Sequence, residues 1–326
     1  MYVADQTWPD LADYVAEESV AIVPLGSTEQ HGPHLPLSTD HVIAEGLARE
    51  AADRTGFLCT PTVNVGVSEH HRQFHGTMWV SPMAFREYVE SLTRNLTYHG
   101  IDRVVFVNAH GGNIQHLQEV GRRLRRTEEA FATPWMWDDS IPDLVDDLFE
   151  TNGPHAGPKE TSMLLHLDRE NVKPEQFENA RDGGLQDLDG AGHVRHGARV
   201  HYDAIENADN GAFGDQTDAT AEKGEQLFEA ATDQLVQLLS WPDDQRCADV
   251  IGHPHAEQPE NGGCEGRSDQ GGPDHRPVHH LPEVLRCDGE KDDHRQADAV
   301  DETAEKPLDF RTHHPRATQH APQGDE

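Results

Sequence analysis

Apolar residues recur along the first 241 positions in short runs of two kinds. Residues 19–25 (SVAIVPL), 59–67 (CTPTVNVGV) and 103–108 (RVVFVN) are compact, β-branched runs. Near-continuous apolar runs of this length predict strands buried on both faces, as in a parallel sheet. Between and after them lie segments with apolar positions three and four apart. These are 41–52, with Thr39 and Asp40 as candidate caps, 83–98, stopped by Gly100, and then about 113–126, 160–168 and 217–240. That spacing predicts helices. Strand–helix alternation without an internal repeat predicts an α/β fold, with helices on both faces of a mostly parallel sheet. In such sheets ligands bind outside the carboxyl ends of the strands.

The pattern stops after Trp241. Residues 242–326 contain only nine large aliphatic or aromatic residues in 85. That is too little apolar surface to offset the entropy of ordering a chain. The expectation is one folded domain over 1–241 and a disordered, His/Pro/Gly-rich acidic tail over 242–326. The tail holds Cys247, His253, His255, Cys264 and Cys287, but not the paired close spacing of a structural zinc module.

Charge changes the picture further. The chain has 26 Lys+Arg against 60 Asp+Glu, a formal net charge of −34. The tail accounts for −11 of this and residues 1–241 for −23, so both parts are acidic. Such an excess disfavours nucleic-acid binding, which needs clustered Lys and Arg. It suits a salt-adapted cytoplasm, where screening relieves self-repulsion. No apolar run is long enough to span a membrane. The opening MYVADQTWPDL has neither a basic start nor an apolar core, so a cytoplasmic location is expected. Four cysteines in 326 residues do not make a disulfide scaffold.

The residues that could carry chemistry follow the predicted strands. Glu29, His31, His34 and Asp40 come after the first strand, and His110 comes directly after 103–108. His155 and Glu160 flank the start of a later helix. Mixed imidazole and carboxylate ligands suit Zn2+, Mn2+ or Fe2+. A pair of such ions about 3.5–4 Å apart needs a bridging carboxylate and can ionise a shared water. The stretch Asn108-Ala-His-Gly-Gly-Asn113 has two readings. Its glycines could open a helix N-terminus to an anion, or simply permit a tight turn around the metal site. Pro134–Asp138 (PWMWD) and Glu69–His75 (EHHRQFH) read as loops walling a pocket.

Four ordered motifs carry a resemblance. Gly26-Ser-Thr-Glu-Gln-His-Gly-Pro-His-Leu-Pro-Leu-Ser-Thr-Asp40, Asn108–Asn113, His155-Ala-Gly-Pro-Lys-Glu-Thr-Ser162 and Gly214-Asp-Gln-Thr-Asp-Ala-Thr-Ala-Glu-Lys-Gly224 resemble signatures of the creatininase (creatinine amidohydrolase) family. The resemblance covers about residues 15–240. It implies a three-layer α/β/α fold, a two-metal site and a homo-oligomer, often a hexamer. Carried over, Glu29 and His110 would bind one metal, His31 the other, and Asp40 would bridge them. Creatininase itself has a Glu two residues after the second histidine, where this chain has Gly112. That departure argues against creatinine as substrate. Glu160 would supply the missing metal-binding carboxylate, as in members with the His-Gly-Gly-Asn pattern, His155 would face the substrate, and His155 and Glu160 would be the catalytic residues.

The activity this implies is metal-dependent hydrolysis of a non-peptide C–N bond, in an amide or cyclic amide, on a small-molecule substrate. Alternatives within the resemblance are an archaeal formylaminopyrimidine ribonucleotide deformylase of riboflavin and deazaflavin synthesis, and a mycofactocin-precursor peptidase. Salt adaptation suggests an archaeal source, which makes the deformylase a serious candidate, and the sequence does not choose among these. A non-catalytic metal-binding scaffold is the reading from another class.

Overall fold

The computed structural model describes residues 1–181, 193–195 and 198–240. The tail expected to be disordered, its candidate zinc ligands and the boundary at 241 lie outside the described residues. The elements are α1 (Trp8–Val15), β1 (Val20–Leu25), α2 (Thr39–Thr55), β2 (Leu58–Cys59), α3 (Pro82–Tyr98), β3 (Arg103–Asn108) and α4 (Ile114–Arg126). They continue with β4 (Phe131–Met136), α5 (Pro142–Leu148), α6 (Pro158–Leu167), α7 (Phe177–Arg181), a hairpin of β5 (His193–Arg195) and β6 (Ala198–Val200), and α8 (Ala221–Leu239).

The main sheet is parallel throughout, in the order β2-β1-β3-β4. β1 is buried along its whole length, as its unbroken apolar run requires. Its side chains alternate between two cores. Val20 and Ile22 face a cluster with Ile43, Leu47, Met163, Leu164 and Leu235, from α2, α6 and α8. Ala21, Val23 and Leu25 face a second cluster with Tyr14, Phe85, Val89, Leu117 and Leu124, from α1, α3 and α4. Two helical layers thus enclose one sheet, the three-layer arrangement expected. Fully burying one of these Leu or Ile side chains is worth about 1.5–3 kcal/mol, so both faces contribute. No helix among the described residues is long and apolar enough to cross a membrane.

Three expectations need correction. The strand over 59–67 shortens to Leu58–Cys59, with Val63 making only an isolated bridge to Leu25. Pro61 supplies no ladder N–H there, and β2 ends before it. The helix over 41–52 is longer, Thr39–Thr55, with Ser38 at its N-cap. Thr39 and Asp40 are therefore not caps but lie in its first turn. Pro134–Met136 is not a loop but the end of β4, an edge strand, where proline is tolerated. Trp137 beside it is fully buried core.

Strand order positions the site. β1 pairs with β2 on one side and β3 on the other, so the chain reverses direction across the sheet between β1 and β3. Leu25, Asn108 and Met136 lie level at the carboxyl edge. At such a switch point the loops after adjacent strands leave toward opposite faces and open a crevice.

Candidate metal centre

Gly26 ends β1 against α2. A Cβ there would lie 2.4 Å from the backbone nitrogen of His41, so only glycine lets the loop start in contact with that helix. The loop then carries Glu29 and His31, and the first turn of α2 presents Asp40. The loop after β3 presents His110. From the opposite side come His155, just before α6, and Glu160 in the first turn of α6.

These six residues meet. Asp40 Oδ1 lies 2.9 Å from His31 Nε2, and its Oδ2 lies 3.1 Å from His110 Nδ1. Glu29 Oε1 is 3.3 Å from His110 Nδ1 and 3.6 Å from His155 Nδ1. Ligand atoms of His31, His155 and Glu160 fall within 4.8 Å of one another, as do those of Glu29, His31 and Asp40. Each ring is turned by a backbone carbonyl behind it. His31 Nδ1 donates to Glu29 O at 3.2 Å, His110 Nε2 to Val67 O at 3.0 Å, and His155 Nε2 to Gln30 O at 2.8 Å. A carbonyl can only accept, so a proton sits on that nitrogen and the other faces the cluster, where it can take a second proton or a metal.

The donor set fits cations. Glu29 Oε2, Asp40 Oδ2, Glu160 Oε2 and His31 Nε2 are buried without a hydrogen-bond partner. Unpartnered buried polar atoms are rare and costly, and four from one cluster of carboxylates and imidazoles are ligands in search of an ion. Lys159, beside Glu160, is paired with Asp138 at 2.5 Å. Among the described residues, no Arg or Lys pairs with these three buried carboxylates, a charge that two divalent ions would balance.

Ring protons carry that balance otherwise. Burial alone would lower the His31 pKa, but Asp40, then Glu160 and Glu29, outweigh it and raise it to about 9. His110 is raised well above its ordinary value against burial, by Glu29 and Asp40. Burial pushes Glu29 up, yet His110, His71 and His155 hold it well below the usual carboxylate range. Glu160 has less compensation: burial lifts it to about 7, with His31 partly opposing. His155 is lowered well below its ordinary value by burial and by His31, which keeps it neutral. Metal binding would displace the extra protons on His31 and His110.

Not every candidate belongs. His34 is fully buried, but its Nε2 bonds Thr161 Oγ1 at 2.9 Å, pinning the loop to α6 away from the cluster. Asn108 and Asn113 are also pins. Asn108 Nδ2 donates to His110 O at 2.7 Å, and Asn113 bonds Gly26 O and Val67 N, each at 3.1 Å. Gly112 answers to the turn reading, because a Cβ there would lie 2.3 Å from Val67 O and 2.4 Å from His110 Nε2.

Sequence reasoning missed His71 and Gln30. His71 Nε2 lies 3.6 Å from Glu29 Oε1, so this part of the 69–75 stretch is inside the cluster rather than a wall around it. Its signal was a His-His pair after a strand candidate. Gln30 had none, since a neutral amide stands out neither as a Zn2+ or Mn2+ ligand nor as a titrating group.

A sequence profile described as Creatininase: creatinine amidohydrolase matches residues 4–239. The mycofactocin precursor peptide peptidase of Mycobacterium ulcerans (strain Agy99) is 33% identical over 243 residues, 72% of this chain and 86% of that protein. The 2-amino-5-formylamino-6-ribosylaminopyrimidin-4(3H)-one 5'-monophosphate deformylase of Methanothermus fervidus (strain ATCC 43054 / DSM 2088 / JCM 10308 / V24 S) is 35% identical over 147 residues, 44% of this chain and 54% of that protein. A solved creatininase in its Mn form has a TM-score of 0.60 at 23% identity, covering 73% of this chain and 96% of that one.

Proposed function

Because the chain belongs to the creatininase family of amidohydrolases, we propose that it hydrolyses a C–N bond at two metal positions that share Asp40. Glu29 and His110 would hold one ion, and His31 and Glu160 the other. The observation that carries this is Asp40 itself, one oxygen turned to His31 and the other to His110. Two divalent ions, Zn2+, Mn2+ or Fe2+, would supply Lewis acidity to a substrate carbonyl and a water of lowered pKa.

The chain's own residues do the rest. His155 is neutral, its Nε2 proton is held by Gln30 O, and its bare Nδ1 faces the cluster. Nδ1 accepts a proton from the attacking water and returns it to the leaving nitrogen, as a general base and then a general acid. The backbone around Gly112 leaves no room for a side chain, so Glu160, reaching in from α6, takes the place of a carboxylate there. This supports a small-molecule substrate other than creatinine, a linear or cyclic amide such as a formylamino group.

A second reading is a peptide amide. The similarity to the mycofactocin precursor peptide peptidase over 86% of its length favours it. We further read the chain as a cytoplasmic homo-oligomer, a hexamer by family habit. Exposed Met78, Trp79, Met83 and Tyr88, in and just before α3, support a subunit contact.

Chelation followed by metal restoration, with a hydrolysis screen of formamides, creatinine and short peptides, tests the reading. Activity should vanish and return with metal, with creatinine turned over poorly. Full activity in the metal-free protein would refute it. Turnover of peptides alone would select the second reading.

A further inference from the structure

Gln30 sits between two ligand residues without being a ligand type, and its buried amide is held at both ends. Oε1 accepts from Gly32 N–H at 2.9 Å, and Nε2 donates to the Gly211 carbonyl at 3.1 Å. Both partners are backbone groups of fixed polarity, so the amide has one orientation. Gly211, at φ +79°, makes room for it, since a Cβ there would lie 1.9 Å from Gln30 Oε1.

The NH2 group therefore faces two imidazoles, His71 Nδ1 at 2.8 Å and His155 Nε2 at 3.0 Å. His155 Nε2 already carries a hydrogen, donated to Gln30 O, so it cannot accept. One amide hydrogen serves Gly211, and the other must go to His71 Nδ1. A neutral ring whose Nδ1 accepts has its proton on Nε2. That is the atom 3.6 Å from Glu29 Oε1. His155 approaches the same oxygen through a bare nitrogen, because its proton is held from behind, and His110 does so once a bound metal has displaced its extra proton. With metal bound, His71 is then the one of the three rings around Glu29 Oε1 that presents an N–H.

We propose that Gln30 is a positioning residue that sets the His71 tautomer, so that His71 turns an N–H, at 3.6 Å, toward the Glu29 carboxylate instead of offering a lone pair to a metal. The consequence concerns where ions can sit. Ligand atoms of Glu29, His71 and His155 lie within 4.8 Å of one another. With a bare Nε2 on His71 this would be a further cation position competing with those at Asp40. The proton closes it. The tautomer is independent of any activity, and only its consequence for metal placement rests on the metal-hydrolase reading.

Long-range proton–nitrogen NMR on 15N-labelled full-length protein, metal-free and zinc-loaded, reads each ring's protonated nitrogen directly. The His71 signals are identified by their loss in His71→Gln. We expect Nε2–H on His71 in both states. Gln30→Glu, which offers an acceptor in place of the donor, should move the proton to Nδ1. Gln30→Met, which offers neither, should give both tautomers should the buried charge of Gln30→Glu prevent folding. Zinc competition against a chelator is the second readout. Gln30→Met and His71→Leu should each weaken zinc binding about 10–100-fold, the usual effect of losing an outer partner. His71→Gln, which keeps an N–H donor, should recover most of it. A bare Nε2 in the wild type, an unchanged tautomer in the Gln30 variants, or His71→Gln binding zinc no better than His71→Leu would overturn the proposal. A chain inactive on every substrate with the expected tautomers would sink the hydrolase reading and leave this one standing.

Discussion

The loop Gly26–Asp40 and the segment Gly214–Gly224 are both dense in polar residues and glycine, and both are family signatures, yet they fold to opposite ends. The first buries Glu29, His31 and Asp40 with side-chain atoms that find no hydrogen-bond partner. The second satisfies its groups locally. Gln216 Nε2 donates to Ala156 O at 2.9 Å and Phe213 O at 2.6 Å, and Asp215 accepts from Thr217 N at 3.0 Å. Thr220 caps α8 through Lys223 N at 3.2 Å. Only Gln216 Oε1 in this segment lacks a partner, and it is a neutral acceptor. Density of polar residues therefore does not separate chemistry from packing. What separates them is whether buried charged atoms are left without partners, which is tolerable only where an ion completes them. The second segment serves the first at a distance, because it holds the chain before α6 that carries His155.

The sharpest way to break this contrast uses two histidines from the same loop. His31→Gln should weaken metal binding by more than the roughly 100-fold upper range of outer-partner changes, and should also cost metal-free stability by removing the protonated ring beside Asp40. His34→Gln should act on stability alone. It loses the bond to Thr161, costing about 1–2 kcal/mol, and keeps metal affinity. Chelator competition and urea unfolding read the two effects, and equal metal loss in both variants would erase the distinction.

Gly224→Ala tests the packing side. Its Cβ would lie 1.9 Å from Ser162 O, between α6 and α8, and relieving the clash should cost about 1–3 kcal/mol. The folded fraction should still bind metal as the wild type does. Metal loss beyond the unfolded fraction would show that this segment acts on the centre directly.

The smallest expected effect comes from the surface. At a net charge of −34, self-repulsion weakens as the Debye length falls from about 10 Å at 0.1 M salt to about 3 Å at 1 M. With metal held constant, the melting temperature should rise over that range and level off, while the buried centre keeps its affinity. A flat or falling curve would refute salt adaptation and remove the argument for an archaeal substrate.

Much of this was legible in the sequence because its signals were local. Continuous apolar runs marked β1 and β3, and helical spacing marked α2, α3, α4, α6 and α8. Glu29, His31, Asp40, His110, His155 and Glu160 stood at predicted strand and helix ends. The failures were of two kinds. α1 and α5 are short, and β4, as long as β1 and β3, lacks their continuous apolar run. His34, His71 and Gln30 depend on direction, which spacing does not encode. His34 lies three residues after His31 and turns to a helix instead, whereas His71 arrives from another loop altogether.

The central claim is that Asp40 is shared by two metal ions. Metal content per full-length chain, measured by mass spectrometry after gel filtration, tests it when wild type and Asp40→Ala are compared under identical loading. Residues 242–326, with their histidines and cysteines, are common to both proteins, so any metal they bind cancels in the difference. Two fewer ions per chain in Asp40→Ala is the predicted result. Equal metal content in the two proteins would contradict the shared site.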